Sequence, residues 1–493
     1  MTKLVQYLLC FLSGLALFSA CSGSSQKTLE LNSEADLAGL RVATISGSCY
    51  ELDLSARDDI SLQIYKVDSD VLQALINDKA DVAVNDEVLY NAVIQKESGI
   101  KIAMLGDKTF PTSLMFNREN QDMAQTMSSI LERMKADGSL QELKDFWLTD
   151  RYAETDRYTH IPDETSGTPI RVASASMNAP IAFPVKDDWY GIEVDLLREL
   201  GKELHRPLQI KIYDAASAIM ALKTGMVDVV CGCVFITPER EEEFVFAVPY
   251  HYFRSAYFVV DRDAQRENAG LLTGLKKSIQ KNLITETRWK YIIDGLWETL
   301  KISLSAILLG SVLGIGLYVL TRNRRKWVRT AARAYNGFIA GIPELVLLLI
   351  LFYIVFARSG FPSDLVAIIA FAMYFASGAS DIYASSLNAI PHGQTEAGLA
   401  LGFTRVQTFF HIVLPQALRH GLPLYKGQCI SLLKGTSIVG YIAIQDLTRA
   451  GDMIRSRTFD AVIPLLIVTV IYFLLVWLIG LLLKFVYPRK KVL

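Results

Sequence analysis

The chain has 493 residues, of which 51% are hydrophobic and 20% charged, and this balance is typical of a membrane protein with a water-soluble part. Because 50 Lys and Arg residues are balanced by 51 Asp and Glu residues, the net charge gives no reason to expect nucleic acid as a partner. The six cysteines form no disulfide framework by spacing, and Cys231 and Cys233 fit neither a zinc site nor a CxxC motif. We therefore expect no metal site.

Residues 1–26 have the pattern of a secretory signal, since Lys3 precedes an apolar run at 4–20 that is followed by small residues. The sequence FSAC at 18–21 is also similar to the cleavage site of bacterial lipoproteins, in which Cys21 would carry the lipid. Phe18 departs from that pattern, because Leu is usual there. An uncleaved signal anchor is the alternative, and either interpretation sends the following region across the membrane.

Two stretches of alternating β-type and helix-type sequence follow, at 27–150 and 169–262, and a polar, turn-rich linker at 151–168 separates them. The spacing from Ala74-Leu75 to Asp81-Val82 recurs from Ala221-Leu222 to Asp228-Val229. Repeated strand–helix–strand units predict parallel sheets in two similar lobes.

Residues 263–294 are expected to form a second linker and an amphipathic helix, and residues 295–488 an all-α membrane domain. Apolar segments of bilayer-spanning length predict five spans, at about 302–320, 335–356, 365–386, 429–444 and 461–483. The stretch 321–333 carries six basic residues and no acid, which places it in the cytoplasm. Five spans then put the two lobes outside and the segment 387–425 inside, in agreement with the signal sequence.

The cytoplasmic segment predicts a helical hairpin between the third and fourth spans. Gly402 can end its first helix, and Thr404 and Gln407 have the spacing of a capping box for the second. We expect the second helix to begin at Arg405 and to stop before Pro415.

The same hairpin resembles the "EAA" loop of ABC importer permeases, and residues 295–488 resemble the membrane subunits of the polar amino acid uptake family. Gly398 departs from that motif, in which a second Ala is usual. The resemblance implies that the hairpin docks on a separate ATPase subunit through Glu396, Ala397, Gly398, Gly402, Ile412, Leu414 and Pro415. It also implies two membrane halves, so we expect a homodimer, with a heterodimer as the alternative.

ATP chemistry is expected to belong to that partner. The chain contains neither GxxxxGKS nor GxxxxGKT, the phosphate-binding loop that an ATPase of this kind needs. We therefore expect a transporter subunit that is not an enzyme and binds no cofactor, with ATP and Mg²⁺ used by the partner subunit.

Residues 36–262 resemble a periplasmic amino acid-binding protein, except that the second-lobe pattern precedes the first-lobe pattern. We interpret this region as a two-lobed α/β binding domain, similar to type II periplasmic binding domains, in permuted order. The resemblance implies that Arg240 binds the ligand carboxylate and Asp86 its ammonium group. Four further positions would line the pocket: Ser48 and Cys49 at a hydroxyl pair, Cys233 where a small polar residue is usual, and Asn178 where an aromatic is usual.

These features predict a fused substrate-binding and permease subunit that imports a polar amino acid across the bacterial inner membrane with ATP. One alternative is a permease whose outer domain has lost ligand binding and only regulates or senses. A ligand-gated sensor or channel is another. Such a channel would divide its two lobes around the pore segments, whereas both lobes here precede every span after the signal, and this order favours transport.

Overall fold

The computed structural model describes residues 28–65, 67–88, 99–149, 166–177, 179–185, 188–261, 278–357, 359–458, 460 and 462–486. The expected signal with Cys21, most of the 151–168 linker, and Asn178 lie outside the described residues. The described chain has an α/β region as far as residue 261 and a helical region from residue 278. This arrangement confirms the predicted fold class, a two-lobed α/β domain followed by an all-α membrane part.

Twelve strands make up the described sheets. They are β1 (Arg41–Ile45), β2 (Ser61–Tyr65), β3 (Val82–Asp86), β4 (Ile100–Thr112), β5 (Met115–Phe116), β6 (Ile170–Ser174), β7 (Phe183–Val185), β8 (Asp188–Tyr190), β9 (Leu208–Ile212), β10 (Val229–Cys231), β11 (Val245–Phe246) and β12 (His251–Val260). The α-helices between them are α1 (Cys49–Ser55), α2 (Asp68–Ile76), α3 (Gln121–Asp137), α4 (Ser139–Trp147), α5 (Ile192–Leu204), α6 (Ala215–Lys223) and α7 (Pro238–Glu241).

The strands form two five-stranded sheets and a small hairpin of β7 and β8. Lobe A is the part built on the sheet in the order β2-β1-β3-β12-β4, and lobe B the part built on the order β11-β5-β10-β6-β9. In each lobe three neighbouring strands run parallel, as β1 does with β2 and β3, and β6 with β9 and β10. The other two strands of each sheet pair antiparallel, so the strand–helix–strand repeat corresponds to the parallel half of two similar mixed sheets.

The repeated Asp-Val dipeptide makes the same ion pair in both lobes. In lobe A, Asp81 accepts hydrogen bonds from the Arg41 backbone N–H at 2.9 Å and from its guanidinium at 2.6 and 3.0 Å. In lobe B, Asp228 accepts the equivalent three bonds from Arg171, at 2.9, 2.6 and 3.2 Å. Each pair ties the first strand of a lobe to the residue that precedes a neighbouring strand.

The division between the lobes differs from the predicted boundary at residue 150. Helices α3 and α4 pack on α5 of lobe B, where Trp147 donates its indole N–H to Asp195 at 2.7 Å. Strand β12, in contrast, lies in lobe A beside β4, with His251 opposite Thr112 and Val260 opposite Ile100. The chain therefore crosses between lobes near residues 112 and 250, and these two adjacent crossings form the connection about which the lobes could hinge.

The membrane part consists of nine α-helices in the described residues. They are α8 (Trp289–Thr321), α9 (Lys326–Gly341), α10 (Glu344–Ile350), α11 (Ser363–Asn388), α12 (His392–Ala400), α13 (Arg405–Thr408), α14 (Leu414–Gly435), α15 (Leu447–Thr458) and α16 (Val462–Val486). Three of them, α8, α11 and α16, are long and apolar enough to cross a membrane. Two bent pairs, Lys326–Gly341 with Glu344–Val355 and Arg405–Ile442 with Leu447–Thr458, raise the count to five, as predicted, if each pair is one span.

From residue 278 onward, where the structure describes the chain again, no separate amphipathic helix precedes the first span. Helix α8 runs without a break from Trp289, and a π-helical turn at Gln280–Ile284 and a 3₁₀ turn at Thr285–Thr287 precede it. Two glycines allow α8 to approach α11 closely, since a Cβ atom on Gly310 would lie 2.9 Å from Phe375 Cβ, and one on Gly314 would lie 2.9 Å from Ala379 Cβ. Small residues at such crossings are typical of packed membrane helices.

The predicted end of the hairpin's second helix before Pro415 is wrong. The chain continues from α13 through a π-helical turn at Phe409–Val413 directly into α14, whose first turn contains Pro415. Proline is tolerated in the first turn of an α-helix, where an N–H has no α-helical acceptor, and Pro415 occupies that first turn after the π-helical turn. The fourth span therefore belongs to a helix that begins at Leu414, well before residue 429.

The hairpin and the two lobes lie at opposite ends of the membrane part. The loop between Val355 and Ser363 lies against lobe B, where Phe356 and Phe361 line a shared crevice with Met226. Helix α11 then runs for 26 residues, which is about 40 Å at roughly 1.5 Å per residue, before the chain enters the hairpin at His392.

Candidate functional site

A cavity of about 90 Å³ lies between the lobes, and side chains of both lobes line it. One water molecule needs roughly 10–15 Å³ by this measure, so the space corresponds to about six to nine waters or one small organic molecule. Ser48 and Asp86 line it from lobe A, and Cys233 and Arg240 from lobe B. Four of the six predicted pocket residues therefore meet at one place, although they are up to 192 positions apart in the chain.

Arg240 connects the two lobes. It lies in the short helix α7, which Thr237 caps, and its guanidinium donates to the carbonyl oxygen of Phe235 at 2.9 Å and to that of Gly47 at 2.7 Å. Phe235 belongs to lobe B, whereas Gly47 belongs to lobe A. Burial lowers the pKa of Arg240, and nearby Cys49 and Glu239 oppose that shift. Because a guanidinium stays protonated in proteins, Arg240 still places a positive charge inside the cleft.

Asp86 and Cys233 approach each other across the cavity, with Asp86 Oδ2 4.0 Å from Cys233 Sγ. Asp86 ends β3 and is 2% exposed, and Cys233 has a left-handed backbone with φ of 63°. Gly232 before it has φ of 108°, and a Cβ there would lie 2.8 Å from the Ala175 backbone nitrogen. This tight turn after β10 is what points Cys233 at Asp86.

Burial raises the pKa of the Cys233 thiol well above its usual range, and the nearby Asp86 and Glu193 carboxylates raise it further. Cys233 is therefore a neutral thiol in the cavity wall rather than a reactive thiolate.

The predicted pair Ser48 and Cys49 begins helix α1, but only Ser48 lines the cavity. Its hydroxyl caps the helix by accepting from the Glu51 N–H at 3.1 Å, and it donates to the Ile45 carbonyl at 2.8 Å. Cys49 is buried behind the wall, where burial and then Asp86 raise its thiol pKa.

Tyr50 is a cavity residue that the sequence did not reveal. Its ring is 2% exposed and packs edge-on against Phe110 and Phe235, with centroids 5.4 and 5.5 Å apart. Its buried hydroxyl has no hydrogen-bond partner among the described residues, and Tyr50 lines the cavity. A buried donor without a partner costs stability unless something in the cavity accepts from it. The only local signal in the sequence is its position directly after the Ser48-Cys49 pair.

Glu193 supports the turn of Gly232 and Cys233 in the cavity wall, and the sequence did not reveal this role either. Its buried carboxylate accepts from the backbone N–H of Gly232, from that of Cys233 at 3.2 Å, and from the Tyr250 hydroxyl at 2.9 Å. Burial raises the pKa of Glu193 to about 7, although its three donors oppose the shift. No sequence pattern marks this role, because Tyr250 and Gly232 are far from Glu193 in the chain.

The 392–415 hairpin exposes apolar side chains at the far end of the molecule. Leu401 is 76% exposed, Val406 65% and Phe410 58%. The predicted capping box of Thr404 and Gln407 is confirmed, and Gly402, with φ of 85°, follows the end of α12 as predicted.

Within the hairpin Gly398 is buried, and Ile412 is one of the side chains packed beside it. Glu396 and Ala397 are exposed, whereas Leu414 and Pro415 are half-buried. The hairpin is thus a packed unit with an apolar outer face of the kind that contacts another protein.

Comparison with known proteins identifies the membrane part. Residues 306–492 match the family of binding-protein-dependent transport system inner membrane components. The L-cystine transport system permease protein TcyB of Bacillus subtilis is 30% identical over 212 residues, which is 42% of this chain and 89% of that protein. The chain belongs to this family of transport permeases.

Other relatives of the permease include the glutamate/aspartate import permease protein GltK of Escherichia coli, 33% identical over 197 residues, which is 38% of this chain and 87% of that protein. The arginine ABC transporter permease protein ArtQ of Haemophilus influenzae is 33% identical over 173 residues, 32% of this chain and 75% of that protein. A solved amino acid ABC transporter chain, with histidines, is 27% identical with a TM-score of 0.39, covering 45% of this chain and all of that one.

The α/β region has its own match, which begins in lobe B and continues into the first helices of the membrane part. Residues 170–344 match the bacterial extracellular solute-binding proteins of family 3. This permease is therefore fused to a solute-binding region, which confirms the predicted fused architecture.

Proposed function

We propose that the chain is the substrate-binding and permease subunit of an ABC importer that moves a polar amino acid inward across the bacterial inner membrane. One observation carries the proposal: a single chain joins a cavity between two lobes to an exposed helical hairpin, and the 26-residue helix α11 leads to that hairpin from the loop beside lobe B. Three relatives are named for L-cystine, glutamate/aspartate and arginine, and this supports an amino acid as the substrate.

The cavity offers groups that complement a small zwitterion. The guanidinium of Arg240 can hold a carboxylate by charge-assisted hydrogen bonds, and the buried carboxylate of Asp86 can hold an ammonium group. The Tyr50 hydroxyl is a further donor, and Ser48 and Cys233 complete the wall. Cys49 then supports the wall from behind rather than touching the ligand. Asn178 stays a prediction.

The hairpin provides the contact for the ATPase subunit. Its exposed side chains Leu401, Val406 and Phe410 would be covered by the partner, and Glu396 and Ala397 lie on the same exposed unit. ATP and Mg²⁺ are used in that partner, and the chain itself is a transporter subunit. Two copies of the chain supply the two membrane halves, and the binding domain faces the outside, preceded by the signal that includes Cys21.

A second candidate is a permease whose outer domain regulates without binding an amino acid. Two observations favour it: the cavity is small, and two donors of Arg240 are already satisfied by the carbonyl oxygens of Phe235 and Gly47. A bound carboxylate would have to replace at least one of these backbone acceptors. The lost hydrogen bond would reduce the free energy of binding, compared with a guanidinium whose donors are unpaired before the ligand binds.

Uptake measurements separate the two candidates. Right-side-out membrane vesicles that contain the chain and its ATPase subunit are loaded with ATP, and the entry of labelled polar amino acids is followed. We expect ATP-dependent accumulation of at least one of them and heat of binding when the purified full chain is titrated with the same compound. Accumulation without binding to the outer domain would support the second candidate, and the absence of both would reject import of amino acids.

A further inference from the structure

Helix α15, the second half of the bent pair that precedes the last span, contacts both lobes of the binding domain. Arg455 Nη1 lies 3.2 Å from Asp70 Oδ1 of lobe A. Two residues later, Arg457 donates to the carbonyl oxygen of Pro184 in lobe B and lies over the Phe183 ring, 5.9 Å from its centroid. One turn of helix α15 therefore contacts both lobe A and lobe B, which can move relative to each other about the hinge.

Lobe B is held against the permease by further contacts. Met453 of α15 is 2% exposed and packs with Met177 and Ile212 of lobe B. On a different element, the Tyr353 hydroxyl lies 3.4 Å from the Ser217 carbonyl oxygen at the start of α6. These apolar and polar contacts hold lobe B at two places, so lobe A is the lobe that would move relative to the membrane when the cleft opens.

A contact within α15 positions the Arg455 side chain to reach lobe A. Its side chain is 12% exposed, and Nη2 lies 3.2 Å from Asp452 one turn earlier. Its buried Nε has no hydrogen-bond partner in the described part of the chain. Asp70 is in the first turn of α2 and more exposed than Arg455. Opening of the cleft would withdraw Asp70 and leave the guanidinium with Asp452.

Helix α15 is also tied to the first span and to the segment that leads into it. The Leu447 N–H at its start donates to the Thr299 hydroxyl of α8 at 3.0 Å, in a buried position. At its other end, the Thr458 hydroxyl donates to Asn282 Oδ1 at 2.7 Å. A displacement of α15 therefore acts on α8, which crosses the membrane and packs closely on α11.

We propose that α15 is the element by which the permease distinguishes the closed from the open binding domain of its own chain, with the Arg455–Asp70 ion pair as the contact made in the closed state. This inference rests on the proposed function. It assigns Arg455 and Asp70 as positioning residues that act through α15 on the spans. Because coupling between two sites is reciprocal, the same pair must strengthen ligand binding when the domain is docked.

The test uses the full chain with its ATPase subunit in lipid nanodiscs, and the readout is the ratio of ATP hydrolysis with and without the transported amino acid. Asp70→Asn and Arg455→Ala should each lower this ratio by about two- to fivefold, the range for a partly exposed ion pair. Ligand affinity of the full chain should also fall, by no more than about fivefold for an ion pair of this kind. Arg455→Lys, which keeps a positive charge between Asp70 and Asp452, should retain most of the stimulation.

Arg133→Ala is the matched control, since Arg133 forms a 3.0 Å ion pair with Glu203 on the surface of lobe B and should change neither quantity. If no amino acid stimulates the wild type, the proposed function itself fails. If the wild type is stimulated and both single variants respond like Arg133→Ala, the role of the ion pair is overturned. Loss of stimulation in both single variants together with an equal loss in Arg455→Lys would also overturn it, because the loss would then not depend on the charge that pairs with Asp70.

Discussion

Arg240 of lobe B donates to the carbonyl oxygen of Gly47 in lobe A at 2.7 Å, so one guanidinium both lines the cavity and holds the lobes together. The second donor group binds the Phe235 carbonyl in its own lobe at 2.9 Å. The planar guanidinium suits both roles because it carries several N–H donors. The side chain can keep its position while one acceptor is replaced by another. Closure of the cleft and the proposed recognition of a ligand carboxylate would thereby be linked at one residue.

The first prediction concerns the guanidinium of Arg240. Arg240→Lys keeps the charge but loses the planar donors, so we expect the affinity of the full chain for its amino acid to fall by about 10- to 150-fold, as for a lost charged hydrogen bond of roughly 1.5–3 kcal/mol. Isothermal titration measures this change. Arg133→Lys, at an exposed position of the same lobe, should bind like the wild type. Equal affinities for the two variants would remove Arg240 from the ligand site.

The second prediction uses the unpaired hydroxyl of Tyr50. Tyr50→Phe should weaken ligand binding by about 2- to 12-fold, since a neutral hydrogen bond contributes roughly 0.5–1.5 kcal/mol. The same change should leave the midpoint of thermal unfolding without ligand unchanged or raise it, because a buried donor without a partner is removed. Tyr252→Phe, at an exposed ring, is the control. Unchanged affinity together with lower stability would mean that Tyr50 only packs.

The third prediction concerns pH. Burial raises the pKa of Glu193 to about 7, above the usual value of 4.5 for the unfolded chain. The folded state therefore binds a proton more tightly than the unfolded state, and this contribution to stability is complete below about pH 4.5 and is lost as the pH rises through about 7.

Glu193→Gln removes that titration while keeping the shape of the side chain. The difference in unfolding midpoint between the wild type and Glu193→Gln should therefore change between pH 4.5 and 7.5, with the wild type losing stability relative to the variant as the pH rises. Thermal unfolding of the purified full chain, followed by the transition of the binding domain, measures it. Two parallel curves over this range would show that Glu193 does not titrate there.

Features that depend on neighbouring residues could be predicted from the sequence. The capping box of Thr404 and Gln407 and the left-handed Gly402 follow from residues within one or two helical turns. The repeated Asp81 and Asp228 likewise marked equivalent strands in both lobes. Patterns of this length are complete within a short segment, so no tertiary contact is needed to interpret them.

Features that depend on distant residues could not be predicted. Glu193 meets Tyr250 only because α5 and the end of lobe B fold together, and Arg455 meets Asp70 across 385 positions. The helix through Pro415 was mispredicted for a local reason, because the preceding π-helical turn has no sequence pattern that distinguishes it from an α-helical turn.

The fourth prediction tests the hairpin with two glycines of one helix. A Cβ on Gly398 would lie 2.6 Å from Thr408 Cγ2 and 2.9 Å from Ile412 Cδ1, and Thr408 is buried. Gly398→Ala therefore has to push α12 away from the second half of the hairpin, at a cost of about 1–3 kcal/mol for overpacking. We expect less ATPase subunit to co-purify with the chain and ATP-dependent uptake to fall in proportion.

Gly393→Ala is the matched control, because no atom lies within 4 Å of a Cβ at Gly393 in the same helix. Alanine there should stabilise α12 by about 0.5–1 kcal/mol and leave uptake unchanged. The comparison separates packing inside the hairpin from helix propensity, which changes in the same direction in both variants. If both retained full ATPase binding and uptake, the close packing of Gly398 against Thr408 and Ile412 would have no part in holding the partner.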